Sequence, residues 1–398
     1  MSDQRIRRPL KDQSGTIERS GDEASARVLE RALRRGVEDL DQVTHGFHSY
    51  PARLHPSIAG ELLQKLSSTD DRILDPFCGS GTVLVEAVRH RRKCLGVDLN
   101  PLAERLVEVK CNPRSPAFRA RFRKDLDSVC ARSEERVRNR VAVRAKLPPR
   151  EVGWYQGHTL KELAGLFEEL STVEDVGARR AMEMIFSANL TKFSRQRADT
   201  AERKVDKRIR KGLPTEFFHR KGLELIERWE ALAQELDGQK PVRPKVKHGD
   251  VRDLPRFIGA FRANLVVTSP PYGGTYDYVD HHIRRYPWLG IDPRAFAKGE
   301  IGARRNLSSR DAVHRWDREL GAALRAIREV LQPRGLAAFL IGDAEIGGKR
   351  VRADRQLARL ADHERFDVVA RASQARLDRK GGRPRREHLV LLRGRANA

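Results

Sequence analysis

The sequence has no Cys-x-x-Cys pair and no histidine spacing of the kind that holds zinc; Cys78, Cys94, Cys111 and Cys130 stand apart from one another. A disulfide framework and a zinc knuckle are therefore not expected, no metal site is assigned, and a reducing, cytoplasmic setting fits. No run of about 18 apolar residues occurs, so no membrane-spanning helix and no membrane partner are expected. The opening MSDQRIRRPLKDQSG lacks the apolar stretch of a secretory signal. Acidic residues are in deficit: 55 Asp and Glu face 79 Lys and Arg, a formal net charge of +24. That imbalance points to a polyanionic partner, since neutralising phosphates releases counterions. The alternative is a basic proteome or a ribosome-associated surface.

What is present is enough for a large core, with 398 residues of which 39% are hydrophobic. Residues 1–43 are polar, charged and poor in aromatics, and read as a mobile basic arm with some helix around EASARVLERALRRGVEDL. Residues 44–113 alternate between strand and helix, through RILDPFCGSGTVLVEAVRHR and KCLGVDLNPLAERLVEVKC. Residues 114–245 read as a basic helical insertion without strand-like runs. Alternation resumes over 246–398, from KVKHGDVRDL through ANLVVTSPPY to GLAAFLIGD, FDVVAR and EHLVLLRG. The expected fold is α/β, a Rossmann-like sheet of seven strands with an antiparallel closing pair, interrupted by the insertion.

Two stretches carry chemistry. DPFCGSGT sets Asp75 and Phe77 at a strand end, with Gly79 and Gly81 in the turn before a helix. Glycines let the backbone approach a ligand closely, and the helix start offers free N–H donors. The full G-x-G-x-x-G pattern is missing because position 84 is Leu. Asp98, seventeen residues beyond Gly81, closes the second strand. There it either holds two ribose hydroxyls or caps the helix that begins at Pro101. The second stretch is LVVTSPPYGGTYDY: a buried strand ends in Ser269-Pro270-Pro271-Tyr272, and the two prolines cannot continue a ladder. Asp75, Asp98, Asp250 and Ser269 all fall at predicted carboxyl ends of strands, where ligands sit in sheets of this type.

DPFCGSGT followed by TSPPY resembles the amino-methylating DNA methyltransferases, which use S-adenosylmethionine, and FHSYPARLHPSI resembles the segment that precedes their glycine motif. The likeness covers roughly residues 45–112 and 246–395. It implies that Asp75, Phe77, Gly79 and Gly81 line the methionine end of S-adenosylmethionine and that Asp98 takes the ribose. It places Asp250 near the adenine amino group, with Tyr50 and Pro51 in the preceding loop. The motif tetrad implies that Ser269 and the Pro270 carbonyl accept from an exocyclic amine, that Pro271 stiffens the turn, and that Tyr272 stacks on a flipped base. Ser at its first position is typical of cytosine-N4 enzymes, so a cytosine-N4 DNA methyltransferase is expected. An RNA-base or adenine-N6 enzyme, and a nucleic-acid-binding protein on an inactive methyltransferase fold, are the alternatives.

Residues 114–150 carry twelve Lys or Arg against four acids, and 191–221 carry eleven against four. These stretches read either as a nucleic-acid surface, with residues 114–245 as a target-recognition element, or as a solvated helical face. Ser194, Arg195 and Thr200 have side chains suited to phosphate. YDYVDHHIRRYPWLG and Glu300–Arg305 are expected to border the base pocket. Ring-carbon methylation would need a nucleophilic cysteine in a Pro-Cys pair, and the sequence has none. The sequence carries no sign of oligomeric state.

Overall fold

The computed structural model describes residues 14–36, 40–199, 203–307, 311–376 and 385–396. Its strands are β1 (Ser14–Gly21), β2 (Arg72–Asp75), β3 (Lys93–Asp98), β4 (Lys245–His248), β5 (Ala263–Thr268), β6 (Leu331–Gly342), β7 (Ala344–Ile346), β8 (Lys349–Val351), β9 (Phe366–Arg376) and β10 (Arg385–Gly394). Eight of them form one sheet in the order β1-β9-β10-β6-β5-β2-β3-β4, and β7 and β8 make a separate ribbon. The run from β4 to β6 is parallel, while β10 lies antiparallel between β6 and β9. This is the expected Rossmann-like sheet with its closing pair, plus one further strand.

Successive side chains on a strand point to opposite faces, and both faces here are covered. Ile73, Leu265, Val267, Ala338 and Leu340 pack into one layer with α1 (Glu23–Arg35), α2 (Pro56–Leu66), α3 (Thr82–Arg89) and part of α4 (Pro101–Lys110). Their neighbours Leu74, Val266, Ala337, Phe339 and Ile341 enter the opposite layer. The continuous apolar runs of β2, β3 and β5 follow from burial on both sides.

The extra strand corrects the expectation of a mobile arm over 1–43. Residues 14–21 pair antiparallel with β9, Ile17 opposite Gln374 and Arg19 opposite Ala372. Asp22 then accepts from the Ser25 amide at 2.9 Å and caps α1. SGTIERSG carries a single large apolar residue, because an edge strand is held chiefly by its backbone bonds and needs no alternating pattern. Residues 1–13 and 37–39 of that arm lie outside the described residues.

Between α4 and β4 the chain forms α5 (Pro116–Arg138), α6 (Pro149–Val152), α7 (Gly157–Leu170), α8 (Val176–Phe193) and α9 (Leu213–Glu235). They enclose a third core, including Leu126, Met182, Phe186 and Trp229, which is continuous with Leu102, Leu106 and Val109 on the outer face of α4. Downstream lie α10 (Leu254–Phe257), α11 (Tyr278–His282), α12 (Arg294–Gly299), α13 (Ala312–Val330) and α14 (Ala353–His363). Asp343, Asp354 and His388 meet in a buried cluster where β6, β10 and α14 join. His388 Nε2 stands 2.9 Å from Asp343, while Arg352 is 3.2 Å from Asp354 and Arg350 is 3.5 Å from Asp343. With guanidinium groups balancing both acids, the cluster is an internal ion network that ties these elements together.

Candidate active site

The carboxyl ends of β2, β3, β4 and β5 open onto a cleft of about 830 Å³. At the end of β2, the Asp75 carboxylate is buried and accepts from the Thr268 hydroxyl at 2.7 Å and the Phe77 amide at 3.2 Å. Burial pushes its pKa up to about 7 against the pull of those two bonds. The following turn needs its glycines: Gly79 has φ +47° and Gly81 φ +80°. A Cβ at Gly79 would stand 2.9 Å from Tyr50, and one at Gly81 2.6 Å from Val107. The Lys110 ammonium, fully buried, donates to the Ser80 carbonyl at 2.7 Å beneath this turn. Burial pushes Lys110 down to about 7.

Asp98 ends β3. Its Oδ2 accepts from the Gly79 amide at 2.7 Å and its Oδ1 from the Asn100 amide at 2.8 Å, and burial raises its pKa. The residue that caps α4 is Asn100, whose side chain accepts from Leu102. Asp98 is therefore not spent on the helix and stays on the cleft wall. Asp250, just beyond β4, is held by Arg252, whose Nε lies 2.9 Å from Oδ1 and which also donates to the Gly299 carbonyl at 2.9 Å.

The segment 45–55 passes over the glycine turn. His45 is 2.7 Å from Glu86, His48 is 3.0 Å from Ser187, and the Tyr50 hydroxyl accepts from Asn100 at 3.2 Å. The Tyr50 ring packs at 4.8 Å from that of His282, which is buried. His281 and His282 thus pack against aromatic rings.

Of the residues singled out in the sequence, Tyr50, Pro51, Asp75, Phe77, Gly79, Asp98, Asp250, Ser269 and Pro271 line this one cleft. Gly81, Pro270 and Tyr272 do not. Gly81 shapes the turn from behind, and Pro270 is buried. The Tyr272 ring lies against Gly342, where an added Cβ would meet it at 2.6 Å, and its hydroxyl is 3.4 Å from Glu387. Cys78 is buried in the turn, and burial raises its thiol pKa, as fits a packing residue.

The sequence reading missed Leu99, Val251 and Phe296, all on the cleft wall; Tyr278, which also lines it, falls in the stretch expected to border the base pocket. Leu99 and Val251 each follow a strand-end aspartate and were within reach of that signal. Phe296 sits in IDPRAFAKGE, which has neither motif nor period. Glu300 and Ile301 line the cleft, with Glu300 2.7 Å from Arg305. Arg304 is 3.3 Å from Asp277. In the insertion, Ser194 is buried and donates to the Thr191 carbonyl, and Arg195 pairs with Asp206 at 3.1 Å. Neither is free for phosphate; Thr200 lies outside the described residues.

Residues 2–108 match the family model for N6/N4 DNA methylases, described as DNA methylase. Over that stretch the chain is similar to the amino-methylating DNA methyltransferases. Among relatives, the Type II methyltransferase M.MvaI of Kocuria varians is 37% identical over 89 residues, 22% of this chain and 20% of that protein. The Type II methyltransferase M.BsoBI of Geobacillus stearothermophilus is 24% identical over 307 residues, 67% of this chain and 59% of that one. The chain thus spans less than two thirds of the length of either relative. Among solved structures, the rRNA methyltransferase aviRa of Streptomyces viridochromogenes aligns at 16% identity over 90% of this chain and 95% of that one, with a TM-score of 0.35. A likeness at that level adds nothing to the topology already described.

Proposed function

We propose that this protein is a DNA methyltransferase that moves a methyl group from S-adenosylmethionine to an exocyclic amine, that of cytosine N4. The observation that carries the proposal is the single cleft onto which Asp75, Gly79, Asp98, Ser269 and Pro271 all open. The donor set suits the cofactor. Asp75 offers an anion for an ammonium, Asp98 has lone pairs for vicinal hydroxyls, and Leu99, Val251 and Phe296 give apolar cover for a purine. When bound, S-adenosylmethionine supplies an electrophilic methyl on a sulfonium.

The chain's own work is to orient the amine and exclude water. An exocyclic amine is conjugated with its ring and is a poor nucleophile. Ser269 and the Pro270 carbonyl accept its two protons, which turns the nitrogen lone pair toward the methyl. The prolines hold that acceptor geometry without freedom in φ. Tyr278, on the cleft wall, is the aromatic surface proposed to stack on the base, while Tyr272, packed against Gly342, backs the motif. The helical insertion over 114–245 is assigned to target recognition. Ser at position 269, rather than Asp or Asn, supports cytosine N4.

The test offers labelled S-adenosylmethionine with duplex DNA and with total RNA separately, followed by identification of nucleosides by mass. Methylcytosine labelled on its amino nitrogen is the expected product, reduced about 100-fold or more in Ser269→Ala. Label in methyladenine or in RNA would keep the chemistry and change the substrate. Cofactor binding with no transfer to either would leave a binding protein in its place.

A further inference from the structure

A second concavity, about 710 Å³, lies between α8, α9 and the loop 46–49, with Ser49, Asn189, Lys192, Phe217, Arg220 and Lys221 on its walls. The Lys192 ammonium stands 3.4 Å from the centroid of the Phe217 ring, and the Arg220 guanidinium carbon 4.0 Å from the same centroid. Two cations thus share one aromatic ring. Among the described residues neither is in an ion pair with a carboxylate. Glu224, the acid on the groove wall, is already engaged by Lys221 at 2.9 Å and Arg228 at 2.7 Å.

The arrangement is electrostatically unfinished. Burial, and then the charge of Arg220, push the Lys192 ammonium below its usual range. Lys207, whose ammonium donates to the carbonyls of Thr191 and Lys192 at 2.9 and 3.0 Å, is likewise lowered by burial and by Lys192. The amide nitrogen of Asn189 has no hydrogen-bond partner among the described residues. Surplus cations and an idle donor around one aromatic floor make a receptor for an anion with several oxygens.

The position of this groove narrows the choice of anion. Ser49 lines the groove, and the next two residues, Tyr50 and Pro51, line the cleft. The loop that joins them is pinned: His48 bonds Ser187, and buried Arg285 reaches Ser49 at 3.2 Å and Asp199 at 3.0 Å. We propose that the groove between α8 and α9 seats the sugar–phosphate backbone of the DNA strand whose base enters the cleft, with Lys192 and Arg220 on phosphate oxygens. The assignment rests on the methyltransferase site proposed above and adds where the substrate strand runs.

The experiment compares the full chain with Lys192→Ala/Arg220→Ala and with the charge-keeping Lys192→Arg/Arg220→Lys. Binding of a mixed-sequence duplex is followed by anisotropy across a salt series, and binding of S-adenosylmethionine by calorimetry. The alanine pair is expected to lose about tenfold or more in DNA affinity and to lower the salt slope by about one to two units. The charge-keeping pair should stay near wild type, and cofactor affinity should be unchanged in both. Equal DNA affinity and slope in the alanine pair, no duplex binding by wild type, or a loss confined to single-stranded RNA would each overturn the groove assignment. Loss of DNA affinity in a protein that transfers no methyl would remove the cleft proposal and leave the groove standing. Methyl transfer with an unaltered salt slope would do the reverse.

Discussion

The hydroxyl of Thr268 donates to Oδ1 of Asp75 across 2.7 Å, in full burial. Thr268 is the last residue of β5 and immediately precedes Ser269; Asp75 is the last of β2 and opens the glycine turn. One hydrogen bond therefore sets the Ser-Pro-Pro-Tyr turn against the glycine turn. Thr268→Val removes the donor and leaves a buried carboxyl oxygen short of a partner. A loss of about 1–3 kcal/mol is expected from the shift in urea midpoint at constant m. Thr268→Ser should recover most of it.

Asp75 also sets a pH dependence. Burial raises its pKa from 3.8 to about 7, so folding disfavours the charged form. Its contribution to stability is therefore largest below the ordinary value and is lost as pH rises through the window up to about 7. Denaturation curves across that window should differ in slope between wild type and Asp75→Asn. A cationic amino group beside the carboxylate would favour the ionised form. Affinity for S-adenosylmethionine should accordingly climb with pH until about 7 in wild type and stay flatter in the variant, as read by calorimetry.

Gly79 is constrained twice, by φ +47° and by the Tyr50 ring 2.9 Å from where a Cβ would be. Gly79→Ala should displace Tyr50 and weaken cofactor binding by about tenfold, with a backbone cost of about 1 kcal/mol in thermal or urea unfolding. Undiminished binding would mean that the turn is not the cofactor's seat.

Phe296 is buried on the cleft wall in a stretch that the motifs do not reach. Phe296→Ala should raise the dissociation constant for S-adenosylmethionine by about tenfold, the worth of one aromatic contact plus its buried area. Turnover at saturating cofactor should change little. A fall in turnover at unchanged affinity would assign Phe296 to the target base instead.

The legible parts of this molecule are those whose physics is local. β2, β3 and β5 declare themselves through apolar runs that end in an acid or in Ser-Pro-Pro, and Asp75, Asp98, Asp250 and Ser269 converge as their strand-end positions require. What stayed hidden depends on partners far away in sequence. Strand β1 is recruited by the backbone of β9, more than three hundred residues later, and leaves no pattern in its own side chains. Phe296 is brought to the wall by the short helix α12, too short for a periodicity to announce it. Lys110 reads as an ordinary helix-end cation, and only the fold reveals that it is buried beneath Ser80. Ser194 and Arg195 erred the other way: suitable chemistry, already consumed by Thr191 and Asp206.

The helices from Pro116 to Glu235 leave the chain after α4 and return it to β4 at the margin of the sheet. A right-handed crossover between β3 and β4 needs only α4, so everything after it is an excursion grafted onto a finished connection. The sheet's register is written without them, and their ties to the segment over the glycine turn include His48 with Ser187 and Ser49 with Asp199. A change within this module that keeps those ties therefore leaves the strand ends, and the cleft they form, where they are.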